Sequence, residues 1–166
     1  RKSDIMKIKP TRKFQFKRRM EGKTDYSRRL KLLISERPRM VVRKSLKYIR
    51  VQIVGFDETG DKTMLAVGSN VLPALGWKFA CDNTPAAYLT GFLMGNMAKS
   101  RKIKGAVLDI GLYPSVKGST IYAVVKGAID GGFEIEADES VFPSEERIKG
   151  EHIAKNNEKF KDMPKE

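Results

Sequence analysis

Cysteine and histidine are nearly missing from this sequence, and their scarcity excludes several kinds of site. Cys81 is the only cysteine in 166 residues, so no intramolecular disulfide can form. His152 is the only histidine, and with Cys81 it falls short of the three or four protein ligands of a zinc site. A Cys–His nucleophile pair stays formally open, although "WKFACDN" is more typical of a half-buried cysteine before a turn. We therefore expect no metal and no cofactor.

Long apolar runs and phosphate-binding glycine motifs are also absent. No stretch approaches the roughly 20 apolar residues that span a bilayer, and the first residues lack the apolar core of a signal peptide. "GSNVLPALG" and "GAIDGG" contain glycines, but neither has the spacing of a phosphate loop or a dinucleotide fingerprint. We expect a soluble, cytoplasmic protein with no membrane partner and no small-molecule substrate.

Acidic residues are scarce in the first third of the chain, where basic residues are abundant. Residues 1–50 contain 19 Lys/Arg and 4 Asp/Glu, whereas residues 134–166 contain 6 and 10. Positive charge so concentrated repels itself and is usually found where a polyanion neutralises it. A solvated basic tail is the simpler alternative. A membrane-surface segment is disfavoured, because this region lacks a strong apolar helical face with aromatic anchors.

Three parts of the chain differ in composition and periodicity. Residues 1–23 show no sustained period and are predicted to be a basic RNA-binding arm, ordered by its partner. Residues 24–133 are predicted to form an α/β core domain. Residues 134–166 are predicted to be an acidic C-terminal extension with a short helix from Ser144 to about Asn156.

Three helices are predicted within the core. The first has Thr24 as N-cap, ends before Pro38 and carries its apolar face on Tyr26, Leu30, Leu33 and Ile34. The second has Thr84 as N-cap, with a buried side made of Leu89, Phe92, Leu93 and Met97, and with Gly91 and Gly95 placed to pack closely against a sheet. The third begins after Ser119 and stops at Gly131 and Gly132.

Four strands are predicted at Met40–Val42, Tyr48–Val54, 63–69 and 105–111. Three strands in a meander, then a crossover helix and a fourth strand, favour an α/β fold: a mixed four-stranded sheet with packed helices in three layers. With Ser45 and Leu46 at the tip of the first hairpin, Arg43 faces Tyr48.

Side chains of the hairpin alternate between two faces of this sheet. One face is apolar and predicted to be buried: Met40, Val42, Ile49, Val51 and Ile53. The other face is basic and predicted to bind phosphates: Arg39, Val41, Arg43, Tyr48, Arg50 and Gln52. Aromatic residues interleaved with the charge, such as Phe14 and Tyr48, are suited to stacking on unpaired bases.

An enzyme is the alternative that this order of elements raises. The β–β–β–α–β topology is shared with nucleases that hold two metal ions with carboxylates on the central strands. Asp109 lies near the end of the fourth strand, but the first strand offers arginines and no carboxylate. We therefore expect Asp109 to have a structural role, such as capping backbone groups or pairing with a basic side chain. We expect no catalytic residue.

Several motifs together resemble the ribosomal protein L-eighteen family, archaeal type, whose eukaryotic counterpart is the longer L-five protein. They are "EGKTDYSRRLKLLISERPRMVVRKSLKYIRVQIV", "GWKFACDNTPAAYLTGFLMGNMA", "AVLDIGLYPSVKGSTIYAVVKGAIDGG" and "ERIKGEHIA". The resemblance covers about residues 17–155. This chain has Leu46 where such proteins often carry Asn after "RKS".

The resemblance implies a ribonuclease-H-like fold without catalytic carboxylates and a non-enzymatic role. It implies a large-subunit protein that binds 5S rRNA and helps attach it to 23S rRNA in the central protuberance, beside neighbouring ribosomal proteins. A general RNA-binding or RNA-chaperone module is the alternative. Charge and resemblance together predict these RNA-binding residues: Arg12, Lys13, Phe14, Lys17, Arg18, Arg19, Lys23, Arg28, Arg29, Lys31, Arg37, Arg39, Arg43, Lys44, Ser45, Lys47, Tyr48, Arg50 and Gln52.

The charge distribution predicts a steep dependence of RNA affinity on salt. If the arm and hairpin neutralise about six to ten phosphates, affinity should fall by about three to five orders of magnitude between about 50 and 200 mM salt. Titration of RNA at several salt concentrations measures the slope. A nearly flat response would contradict the electrostatic account.

Overall fold

The computed structural model describes residues 15–155, and these contain a four-stranded sheet and several helices. The strands are β1 (Arg39–Lys44), β2 (Ile49–Gly55), β3 (Lys62–Gly68) and β4 (Val107–Asp109). The helices are α1 (Lys17–Met20), α2 (Tyr26–Leu33), α3 (Thr84–Ser100), α4 (Thr120–Asp130), α5 (Glu145–Lys149) and α6 (Glu151–Ala154). Short 3-10 turns occupy Ser69–Leu75 and Glu139–Val141. No helix in this described range is both long and apolar enough to cross a membrane.

The sheet has the order β3-β2-β1-β4, with β4 parallel to β1 and the other neighbours antiparallel. The α/β class and the mixed four-stranded sheet are therefore confirmed. β4 reaches its place beside β1 through the crossover that α3 forms. Because β1 is central, its side chains are shielded more fully than those of an edge strand.

The two faces of the hairpin are assigned as the alternation predicts, although its register differs. Arg43 pairs with Arg50 instead of Tyr48, because the loop is longer and Ser45 N–H donates to the Tyr48 carbonyl. A change of two residues preserves which face each side chain takes. The inward apolar residues are all at most 1% exposed: Met40, Val42, Ile49, Val51 and Ile53.

Helices α3 and α4 cover this inner face and pack against each other with their backbones in close contact. A Cβ atom at Gly91 would overlap the Val124 carbonyl, and one at Gly127 would overlap the Tyr88 carbonyl. Gly91 and Gly95 thus permit an approach to α4, and the prediction that they pack against the sheet is wrong. The close approach also selects small residues for the buried side of α3, which is formed by Ala86, Ala87, Thr90, Gly91, Met94, Gly95 and Ala98.

Two of the four larger apolar residues predicted for that buried side lie outside it, whereas Leu93 packs against the core as predicted. Phe92 and Met97 are 39% and 40% exposed. The N-caps of α2 and α3 also differ from the predicted threonines by one residue. Asp25 accepts hydrogen bonds from the backbone N–H of Ser27 and Arg28, and Asn83 accepts one from Ala86, because short Asx side chains satisfy the first free N–H groups well.

Helix α2 stands over the opposite, outer face of the sheet and buries little apolar surface there, because none of its residues is fully buried. Leu30 and Ile34, predicted to face the core, are 61% and 70% exposed. The side of α2 that lines the cleft carries Arg28 and Arg29 beside the half-buried Leu32. At the other end of the chain, Gly150 divides the predicted tail helix into α5 and α6, and Asn156 lies outside the described residues.

The contact between α3 and α4 predicts a large cost for one added methyl group. In Gly127→Ala, the gain in helix propensity of about 1 kcal/mol is outweighed, because the methyl meets backbone atoms that cannot rotate away. We expect the free energy of unfolding to fall by about 2–3 kcal/mol in urea denaturation. Asn96→Ala, on the exposed side of α3, is the control and should be neutral or slightly stabilising. Equal midpoints for the two variants would contradict this packing.

Candidate nucleic-acid interface

A cleft of about 590 Å³ lies between α2 and the outer face of the sheet. Its walls carry seven cationic and three acidic side chains. The cations are Arg18, Lys23, Arg28, Arg29, Lys31, Arg39 and Arg43, and the acids are Asp25, Asp61 and Asp109. The excess of positive charge on a concave surface favours a polyanion over a neutral ligand.

Arg39 lies at the floor of this cleft and is only 4% exposed. Its Nη1 donates to Asp109 Oδ2 at 3.0 Å and its Nη2 donates to Asp61 Oδ2 at 2.7 Å. A guanidinium held between two carboxylates and excluded from solvent cannot also reach a phosphate. The expectation that Arg39 contacts RNA directly is therefore corrected: the alternation assigns its face, but Asp61 and Asp109 cover it.

Asp109 also fixes the guanidinium of Arg43, which is half-exposed. Arg43 Nη2 donates to Asp109 Oδ1 at 3.0 Å, and Arg43 Nη1 donates to the carbonyls of Val42 and Asp109 at 2.8 Å each. Asp109 Oδ1 further accepts the Gly111 N–H at 2.8 Å. The prediction that Asp109 has a structural role, as a backbone cap or as the partner of a basic side chain, is confirmed.

Two arginines of α2 attach that helix to the rest of the cleft. Arg29 Nη2 donates to Asp61 Oδ2 at 2.8 Å, so Asp61 joins α2 to Arg39 of β1. Arg28 Nη1 donates to the Gly111 carbonyl at 3.2 Å, which joins α2 to the segment after β4. The opening of the cleft is thus set by an ion pair and a hydrogen bond between elements that are far apart in sequence.

The segment after β4 completes the rim, and sequence reasoning did not include it in the site. Gly111 has φ +64°, and a Cβ there would lie 2.9 Å from Arg43 Cζ, so the guanidinium lies flat against this glycine. The Tyr113 hydroxyl donates to the Lys44 carbonyl, which ties the segment to the end of the hairpin. "DIGLYP" held a signal for this role, since an aspartate at a strand end with a glycine two residues later is typical of a tight turn in which the carboxylate accepts a backbone N–H.

The end of the hairpin presents cations that no carboxylate neutralises. Lys44, Lys47 and Arg50 are exposed, and none has an acidic oxygen within 4 Å in the part of the chain that the structure describes. Tyr48 is 47% exposed beside them. Ser45 serves the loop, because its hydroxyl accepts from Tyr48 N–H at 3.0 Å. The half-exposed Gln52 lines the cleft.

The remaining predicted residues are spread around this surface. Lys17, Arg18 and Arg19 are exposed on α1, and Arg18 Nε donates to Thr24 Oγ1 at 2.9 Å. Lys23 pairs with Glu21, with 2.9 Å between Nζ and Oε2. Arg37 lies away from the cleft and pairs with Glu136, with 2.6 Å between Nη1 and Oε1. Arg12, Lys13 and Phe14 lie outside the described residues.

The described residues give little support for a metal-dependent enzyme or for an enzyme with a thiol nucleophile. Within residues 15–155, no group of three His, Cys, Asp or Glu side chains is placed to hold a metal ion. The carboxylates of Asp61 and Asp109 are instead occupied by arginine. Burial, and secondarily the neighbouring Asp82 charge, raises the pKa of the Cys81 thiol, which disfavours the thiolate that a nucleophile needs.

Comparisons of this sequence with a family model and with known proteins agree on one family. The family described as "Ribosomal large subunit proteins 60S L5, and 50S L18" matches residues 11–104. "Large ribosomal subunit protein uL18" of Methanoregula boonei is 49% identical over 150 residues, covering 90% of this chain and 86% of the relative. The protein of the same name from Korarchaeum cryptofilum is 47% identical over 150 residues, covering 90% of this chain and 77% of the relative.

The network at the floor of the cleft predicts that Asp109 is essential for stability. Asp109→Asn leaves the buried Arg39 with half of its compensating charge, and breaking a buried pair typically costs about 3–5 kcal/mol. Glu145→Gln removes the same charge from an exposed pair with Lys149 and should cost at most about 0.5 kcal/mol. Chemical denaturation of both variants measures the difference. Similar midpoints would show that the Arg39 network contributes little to stability.

Proposed function

Because the chain belongs to the family of ribosomal large subunit proteins 60S L5 and 50S L18, we propose that it binds 5S rRNA and helps attach it to 23S rRNA in the central protuberance. The family makes it a ribosomal protein, a component of a ribonucleoprotein that acts in translation. In this role it is not an enzyme, and its partners are rRNA and neighbouring proteins of the large subunit. We expect it in the cytoplasm, on the ribosome.

The observation that carries this proposal is a basic cleft whose cations are fixed before any ligand arrives. Arg28, Arg29 and Arg43 each donate to a partner within the protein, so their guanidinium groups lose little freedom on binding. Lysines at the rim and at the end of the hairpin, which have no such partner, would lose that freedom at the moment of contact. A fixed pattern of charge therefore supports recognition of one folded RNA over binding to any polyanion.

The cleft and the end of the hairpin play different parts in the proposal. Arg18 and Lys31 at the rim, and Lys44, Lys47 and Arg50 at the hairpin, have no carboxylate partner in the described range and would neutralise phosphates. Tyr48 would stack on an unpaired base. Arg39, by contrast, positions Asp61 and Asp109 from below and makes no contact with RNA.

Residues 1–23 are proposed to extend this surface as a basic arm, and residues 134–166 to form a separate acidic extension. Within the arm, Phe16 stacks on Tyr26 at 4.9 Å between ring centroids, which draws α1 toward the start of α2. Within the extension, Val141 and Phe142 pack against the core. The described parts of both segments are thus attached to the core domain, residues 24–133.

The fold is proposed to be ribonuclease-H-like, with the catalytic use of the sheet lost. Support comes from the strand order β3-β2-β1-β4 and from the parallel pairing of β1 with β4. Asp109 lies on β4 directly beside Val41 of β1, where a nuclease of this topology would gather carboxylates. Arg39 and Arg43 neutralise it instead, which supports a binding role.

The proposal is tested by capturing RNA from a total cellular extract with the purified protein and sizing what is retained. One small RNA of the length of 5S rRNA is expected to be enriched over all others. Retention of many RNAs in proportion to their abundance would instead support a general RNA-binding or chaperone module.

Two adjacent substitutions connect the captured RNA to the face that is proposed to bind it. Arg50→Ala removes an exposed cation and should lower affinity by about 1–3 kcal/mol, while stability changes by only a few tenths. Val51→Ala removes methyl groups from a fully buried side chain and should lower stability by about 1–3 kcal/mol, with normal binding by the folded fraction. RNA titration and denaturation are measured on both. The reverse pattern would invert the face assignment.

A further inference from the structure

A second group of cations lies at the C-terminal end of α3, away from the cleft. Lys99, Arg101, Lys102 and Lys104 are all exposed. None of the four has a carboxylate oxygen within 4 Å in the part of the chain that the structure describes. The sequence contains no acidic residue between Asp82 and Asp109, so no carboxylate close in sequence balances this charge.

The backbone at the centre of the group is strained. Lys102 has φ +57°, a left-handed conformation that favours glycine and is uncommon for any other residue. This position follows the end of α3, where the Ile103 N–H donates to the Ala98 carbonyl and where glycine is usually found. A lysine here costs some stability relative to glycine, which adopts this conformation without a steric penalty.

Attraction to the negative end of α3 explains only part of the group. Lys99 lies in the last turn of the helix, where a cation interacts favourably with the helix dipole. Lys102 and Lys104 lie beyond the helix, where that attraction falls off. Arg101 Nη1 donates to the Met64 carbonyl of β3, which fixes one cation of the group in place. The exposed Glu134 lies beside this group, because its backbone N–H donates to the Lys104 carbonyl.

The position of this group separates it from the proposed 5S rRNA surface. α3 covers the inner face of the sheet, whereas the cleft lies on the outer face. Met64 and Arg39 lie at the same end of the sheet, because β2 pairs Val54 with Arg39 and Ile53 with Leu65. The end of the hairpin is six residues farther along β1, or roughly 20 Å at about 3.3 Å per residue. The end of α3 is thus distant from the hairpin end, and it is separated from the cleft by the thickness of the sheet, because α3 and the cleft lie on opposite faces.

From this separation we propose that Lys99, Arg101, Lys102 and Lys104 form a second RNA-binding site, which takes the phosphate backbone of a different rRNA segment. The inference rests on the proposed function for the class of ligand, but its site and its residues are independent of the cleft. The protein would then join two RNA segments through opposite faces of one rigid sheet. The ligand is recognised as a line of phosphates, because the group offers cations and no aromatic platform.

The backbone conformation of Lys102 allows a test that distinguishes an RNA contact from a lysine that is merely exposed to solvent. Lys102→Gly should raise the denaturation midpoint, because glycine adopts φ +57° without cost, and should lower affinity for the second RNA about three- to tenfold. Glu36→Gly is the matched control, since Glu36 has φ +54° and is exposed. It should also raise the midpoint, with no loss of affinity. If Lys102→Gly binds as tightly as the unchanged protein, the second site is contradicted.

A triple variant separates this inference from the proposed function. The probes are purified archaeal 5S rRNA and purified archaeal 23S rRNA, each titrated with the full chain. Lys99→Glu, Lys102→Glu and Lys104→Glu combined should weaken 23S rRNA binding at least tenfold and flatten its salt dependence by about two to three phosphate contacts. The same charge change at Lys62, Lys78 and Lys155 is the control for net charge.

Binding of 5S rRNA distinguishes the two ideas. The second site is supported if the triple variant retains 5S rRNA affinity within about twofold of the control while 23S rRNA binding falls. It is overturned if both RNAs are weakened equally, or if neither is weakened more than in the control. If the unchanged protein shows no preference for 5S rRNA, the proposed function fails, while the comparison on 23S rRNA still decides the second site.

Discussion

The arrangement of the outer face depends on one buried cation. Arg39 is held between Asp61 and Asp109, and through those two carboxylates it fixes Arg29 of α2 and Arg43 of β1. Removing two charges from water is costly, and only close pairing with both carboxylates offsets that cost. The cleft is therefore open and ordered because its floor is an ion network, where a purely apolar contact would have drawn α2 onto the sheet and closed it.

The two sides of the sheet consequently use different physics. On the inner side, α3 and α4 approach until backbone meets backbone, and apolar burial supplies the stability. On the outer side, arginine and aspartate hold the elements at a distance and leave charged groups accessible to solvent. The outer network thus also contributes to stability, but through charged groups that stay partly accessible to solvent.

The hairpin faces and the mixed sheet could be predicted from the sequence, because alternation and chain order are local properties. The structural role of Asp109 could be predicted because the first strand offers arginines and no second carboxylate. The burial of Arg39 could not, since its partners are 22 and 70 residues away. The exposed Leu30 and Ile34 also escaped prediction, because helical periodicity identifies an apolar face but not whether another element covers it. The spacing of Gly91 and Gly95 indicated a close contact, but it did not indicate that the contact is with α4 and not with the sheet. The rim at Gly111 and Tyr113 depends on tertiary placement in the same way.

The distance in sequence between Arg39 and Asp109 has a consequence during synthesis. The chain is made from its N-terminus at about 5–20 residues per second, so Arg39 exists for about 4–14 seconds before its 70-residue-distant partner is added. Until then β1 has no neighbour on one side, and the most basic third of the chain lacks a carboxylate that later restrains it. The positions of Arg39 and Arg43 on the outer face are thus fixed late, when β4 supplies the carboxylate of Asp109.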